Sequence, residues 1–134
     1  MTVRSATEAD VPAIVAMGRQ FHDKAGMSFD YDAEASGGFV RGLIAGGIVL
    51  ISEGGMIGGV IAPSFSAPSY RMAVELFWWA ERDGLVLLKA FEEWAAGEGA
   101  DEVRMSTLAC LPRAEILLRR KGYSACEISH RKVI

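Results

Sequence analysis

The run from Ala73 to Thr107 constrains the fold more than any other part of the chain. It reads AVELFWW, AERDG, LVLLKAFEEWAAGEG and then ADEVRMST. An apolar strand leads through a very short polar turn into an amphipathic helix, and a glycine break leads into a second strand. A strand that enters a helix this directly gathers several unpaired backbone N–H groups at one point. With the helix dipole behind them, they form a site for an anion, and a phosphate or pyrophosphate suits it best. The pattern predicts a βαβ unit handling a phosphorylated cofactor.

Size and composition narrow the setting. The 134 residues suit one domain spanning 1–134, with a single core. Half the residues are apolar and 23% are charged, so a folded chain is expected rather than disorder. The net charge of −3, with no basic run, argues against nucleic acid as a partner. No apolar stretch approaches the roughly 20 residues of a membrane span. The N-terminal MTVRSATEAD has no apolar signal core, so a cytoplasmic protein without membrane partners is expected. Cys110 and Cys126 make no disulfide framework and read as buried, reduced thiols. With His22 and His130 they match no zinc spacing, so no metal is expected.

Around the central unit, Thr2–Ser5 can pair as a strand. Thr7 and Asp10 make a capping-box start to a helix, with Pro12 in its first turn. Val11, Ile14, Val15, Gly18 and Phe21 give that helix one buried face. Asp23–Ala33 reads as a loop and Ala35–Ala45 as a second helix. Ile48–Ser52 and Met56–Ala62 flank Glu53-Gly54-Gly55 as a hairpin. Pro63–Pro68 is a loop, and strands follow at Met72–Trp79 and Glu102–Thr107 around the helix Leu85–Ala96. Pro112–Lys121 is a short helix stopped by Gly122, and Tyr123–Ile134 supplies one or two final strands. The predicted architecture is α/β (α+β): a mixed, mostly antiparallel sheet with a central βαβ unit and helices on both faces.

These residues resemble the GCN5-related N-acetyltransferases, most closely the short, divergent members of bacteria and tailed phages. Val3, Arg4, Ala6, Thr7 and Asp10 resemble the family's opening strand and helix start. Glu93-Trp94-Ala95 with Gly99-Ala100 resembles the end of its central helix, and Arg120-Lys121-Gly122-Tyr123 its late turn. The resemblance implies acetyl-CoA as co-substrate. Its pantetheine arm would lie along Phe77, Trp78 and Trp79, and its pyrophosphate on the backbone N–H groups of Arg82, Asp83, Gly84 and Leu85. The family's loop runs Gln or Arg, two residues, Gly, one residue, then Gly or Ala. In Glu81-Arg82-Asp83-Gly84-Leu85-Val86 only Gly84 fits outright. Glu81 and Asp83 add negative charge, and Val86 adds bulk where backbone must approach an anion.

Acetyl transfer needs a base for the amine, stabilisation of the oxyanion and a proton for the departing thiolate. Glu75, amid the apolar strand, is the candidate catalytic base, because burial raises a carboxylate's pKa. The competing reading turns it to solvent by strand alternation. The family's acidic tyrosine falls at Leu118, so the usual acid is missing. Tyr123 reads as a packed aromatic, and Tyr31 and Tyr70 as loop donors without positional support. His22 reads as a solvated helix-end residue or as a substrate contact. Trp78 and Trp79 point to opposite faces of their strand. Met17, Met56, Met72 and Met105 read as core. Arg119, Arg120 and Lys121 complement a helix C-terminus.

Three functions remain in view. One is an acetyl-CoA-dependent acyltransferase acting on a small-molecule or protein amine. Another is a non-catalytic binding module on the same fold, and the third is an unrelated phosphate-ligand domain. A homodimer is compatible with all three.

Overall fold

Arg4–Ser5 (β1) is the first element of the computed structural model, which describes residues 2–134. Thr7 donates its backbone N–H to the Asp10 carboxylate at 2.8 Å, while Arg4 holds the same carboxylate through two 2.8 Å bonds. That grip lowers the Asp10 pKa. A 3₁₀ turn over Glu8–Asp10 leads into Val11–Ala25 (α1), with Pro12 in its first turn, where a missing N–H costs little. Gly26, at φ 63°, ends it. The helix therefore reaches past Asp23, and the connection before the next helix is shorter than the sequence suggested. Ala33–Gly46 (α2) starts at Asp32, whose side chain accepts from the Ala35 N–H at 3.0 Å.

Ile48–Ser52 (β2) and Gly55–Pro63 (β3) form the expected hairpin around Glu53-Gly54. Arg71–Ala80 (β4) follows, then Gly84–Gly97 (α3) and Glu102–Arg104 (β5). Two bonds, Ala100 N–H to Ala95 O and Gly99 N–H to Ala96 O, close α3, with Gly99 at φ 75°. The sheet order is β1-β2-β3-β4-β5, antiparallel except for the parallel β4–β5 pair. Pro112–Arg120 (α4) is the last regular element.

The sheet carries a packed layer on each face. Val11, Ile14, Val40 and Leu43 from α1 and α2 pack against Val49, Ile51 and Met56. On the other face Leu87, Phe91 and Ala95 of α3 pack against Leu50, Ile57 and Ala73. The described residues contain no helix long and apolar enough to cross a membrane.

The strand expected over Glu102–Thr107 ends at Arg104, and two further expectations need correction. Tyr123–Ile134 forms no strand. Its run SACEISHRK offers little apolar side chain to bury, and its ties to the body include the Tyr123–Glu92 hydrogen bond and a 3.9 Å Arg104–Glu127 ion pair. Both cysteines are exposed. Cys110 lies in the loop before α4 and Cys126 in the final segment, outside both layers.

Candidate functional site

The site begins with an irregularity in β4. Opposite it, the register slips between Gly58 and Gly59, so Gly58 pairs with Phe77 and Gly59 with Glu75. Leu76 is the extra residue of a β-bulge and has no partner on β3. The bulge reverses the side-chain alternation. A Cβ on Gly59 would sit 2.6 Å from Phe91 Cζ of α3, whereas one on Gly58 would meet Phe77 at 2.5 Å and Leu43 of α2 at 2.9 Å. Paired residues share a face, so Glu75 lies with Ala73 on the α3 side and Phe77 on the α1–α2 side. The adjacent glycines leave room for Phe91 and Phe77 to reach the sheet from opposite faces.

Glu75 also lies where β4 and β5 part. Their ladder ends at Val74–Arg104, and Glu75 through Ala80 have no β5 partner. Instead the Ser106 N–H donates to Glu75 Oε1 at 2.8 Å. The carboxylate thus bridges β4 to the chain leaving β5. At 7% exposure it is the one buried charged residue among those described. Burial pushes its pKa up to about 7, partly offset by the Ser106 N–H, which favours the charged form. The solvent-facing reading fails because the bulge and the register fix its direction.

The other strand residues divide as expected. Trp78 donates its indole N–H to Gly84 O at 3.1 Å on the α3 side, and Trp79 packs 6.2 Å from Phe21 of α1.

The turn into α3 is tied down from below. Gly54 O accepts from the Glu81 N–H at 2.8 Å and the Arg82 N–H at 3.4 Å. A side chain at Gly54 would collide with Arg82 Cγ, so only glycine lets the β2–β3 turn come this close. Arg82 thus directs its N–H to the turn. The open donors at the start of α3 are those of Asp83, Gly84, Leu85 and Val86, since the first helical bond runs from the Leu87 N–H to Asp83 O. The end has no side-chain cap. Asp83 takes the left-handed conformation at φ 72°, and its buried Oδ2 has no hydrogen-bond partner. The Arg82 guanidinium lies exposed, 3.7 Å from Glu53.

On the opposite face, α1, α2 and the sheet enclose an apolar cavity of about 490 Å³. Phe77 and Met56 belong to its floor, with Phe29, Tyr31 and Phe39 among its walls. His22 borders it, its ring 5.3 Å from Phe29 and 5.5 Å from Tyr31. Sequence reasoning assigned Phe77 to the cofactor and did not find this cavity. Its signal was the aromatic content of the α1–α2 connection. The Gly58-Gly59 pair likewise foreshadowed the bulge.

The remaining phenols are occupied. Tyr123 donates to Glu92 at 2.8 Å, and burial and that carboxylate raise its pKa. Tyr70 donates to Glu102 at 2.7 Å, and Tyr31 to Val15 O at 2.8 Å. Leu118 is buried. No group of three or more potential metal ligands occurs among the described residues.

No family model matches the sequence, and no curated protein matches it. Solved structures do. A probable acetyltransferase is 15% identical with a TM-score of 0.80, over 100% of this chain and 97% of that one. A predicted acetyltransferase from Clostridium acetobutylicum, solved with acetyl-CoA, is 9% identical with a TM-score of 0.77, over 98% and 95%. AAC(6')-Iy, in complex with the bisubstrate analogue CoA-S-monomethyl-acetylneamine, is 12% identical with a TM-score of 0.75, over 99% and 98%. At these identities the likeness is one of fold, and the chain has the GCN5-related N-acetyltransferase fold.

Proposed function

We propose that the protein transfers an acetyl group from acetyl-CoA to a primary amine. The observation that carries this reading is the buried Glu75 carboxylate, with a pKa of about 7, at the point where β4 and β5 part. A base poised near neutrality takes a proton from an attacking amine most effectively there. Glu75, on the α3 face, accepts that proton through water in the gap where β4 and β5 part, as the amine nitrogen bonds to the acetyl carbon and the carbon–sulfur bond breaks. The strand edge beyond Val74 offers unpaired backbone groups to the pantetheine arm. The N–H groups of Asp83, Gly84, Leu85 and Val86 receive the pyrophosphate. Since Leu118 stands where the fold's usual acid would be, the departing sulfur takes its proton from water or leaves as thiolate. A thiol pKa near 8.5 makes that tolerable.

The divergent loop weakens cofactor binding, because Glu81 and Asp83 bring negative charge toward the anion. Calorimetric titration should give a Kd for acetyl-CoA on the order of tens of micromolar or weaker, about −6 kcal/mol. A complete absence of heat and of thermal shift at millimolar acetyl-CoA would favour the second reading, a binding module on the same fold. The buried, unpartnered Asp83 Oδ2 at the α3 N-terminus is the feature that supports that alternative.

A further inference from the structure

From the chemistry of the cavity between α1 and α2, we infer that the acceptor is a monoamine on an aromatic or hydrocarbon body, rather than a polyamine or an aminated sugar. The inference rests on the acetyl-transfer reading and specifies its acceptor. The cavity's volume of about 490 Å³ lies within the roughly 300–1,000 Å³ typical of small-molecule sites. Its walls are mostly carbon, and two of its five polar side chains are engaged elsewhere. The Tyr31 hydroxyl is bound to Val15 O, and the Asp32 side chain caps α2. Asp30, on the rim, forms no ion pair among the described residues. A carboxylate at the mouth attracts the ammonium form, which leaves it to reach β4 as the apolar body settles on the walls. An aminated sugar carries more hydroxyl and ammonium groups than the apolar walls can match, and each one left unmatched there weakens its binding relative to an aryl amine.

The position fits as well. Phe77 belongs both to the cavity floor and to the stretch of β4 without a β5 partner. It lies two residues, roughly 7 Å of strand, beyond Glu75. A ligand resting on Phe77 therefore lies beside the strand proposed to carry the thioester. Phe39 is 56% exposed and borders the cavity, so the aromatic surface is open to an entering ligand.

The test is calorimetric titration of the protein, without acetyl-CoA, with 2-phenylethylamine, 2-(1-naphthyl)ethylamine, putrescine and kanamycin. Release of CoA thiol is then followed with acetyl-CoA present. The two aryl amines should bind at least about tenfold more tightly than the other two. Phe39→Lys, at an exposed position, should weaken aryl-amine binding about tenfold or more while the protein keeps its melting temperature. Ala35→Trp, which crowds the mouth from another side of the cavity, should do the same. Equal binding of all four probes, or aryl-amine binding untouched by both variants, overturns the inference. So does absence of aryl-amine binding combined with a dimer that Phe39→Lys dissociates, since the cavity would then be a self-association surface. Thiol release with kanamycin but not with aryl amines keeps acetyl transfer and overturns the acceptor class. Tight aryl-amine binding without thiol release keeps the ligand class and overturns acetyl transfer.

Discussion

The two faces of β4 are built on opposite principles. On the α3 face, Glu75 is a single carboxylate sealed among apolar side chains, with one N–H as its partner. On the α1–α2 face, Phe77 is an apolar side chain on the floor of an open cavity. One face holds a titratable group shielded from bulk solvent, and the other leaves hydrophobic surface for something to cover. A bulge of one residue, Leu76, separates them. Without it Ala73, Glu75, Phe77 and Trp79 would share a face, and the carboxylate would lie among the rings of the cavity. A local change in strand register thus divides proton handling from ligand shape between two layers.

The largest expected effect tests the sealed face through stability. The pKa of Glu75 is raised from 4.5 to about 7, so the folded state favours its protonated form. The resulting stabilisation is complete below about pH 4.5 and is lost as pH rises through about 7. It amounts to on the order of 3 kcal/mol. Urea unfolding at intervals from pH 4.5 to 8.5 should follow this decline in the wild type. In Glu75→Gln this component should vanish. An equal slope in both proteins would mean that Glu75 is not the sealed group described.

Next comes catalysis. Glu75→Gln should lower turnover of an accepted amine about 100-fold or more, with acetyl-CoA affinity nearly unchanged. Wild-type turnover should rise with pH through about 7, as the base ionises. A Gln variant with wild-type rates from pH 6 to 9 would remove Glu75 from the chemistry.

The division between faces can also be attacked through the glycines. Gly59→Ala places a Cβ against Val74 O and 2.6 Å from Phe91 Cζ. The backbone oxygen cannot rotate away, so a loss of about 1–3 kcal/mol is expected in urea unfolding. A neutral result would mean that the two strands can separate without loss. The smallest effect belongs to the cavity rim. Asp32→Ala removes the side-chain cap of α2 and should cost about 1 kcal/mol. Urea unfolding measures that loss.

Much of this was legible along the chain. The Glu53-Gly54 turn, Pro12 in the first turn of α1 and the glycines after α3 and α4 were readable because each acts on backbone within a few residues. The βαβ unit was readable because its strands and helix have different hydrophobic periods. The final segment misled because it was assigned to strand as the remainder of the chain, whereas a strand exists only with a partner ladder and apolar contacts to bury. The cysteines misled for a related reason: a general tendency to burial gives no information about which segments reach the core.

The sequence by itself determined the elements up to α4, their order, the open helix start at the head of α3 and the choice of Glu75 as the residue to watch. Those features follow from local dihedral preferences, capping and periodicity. Tertiary structure alone decided that Glu75 is buried, that its partner is the Ser106 N–H, and that Phe77 looks into a cavity instead of toward α3. Each of these depends on how β4 aligns with β3 and β5. That alignment is set by Gly58 and Gly59 making room for Phe77 and Phe91, residues brought together only when the sheet and its two helical layers close.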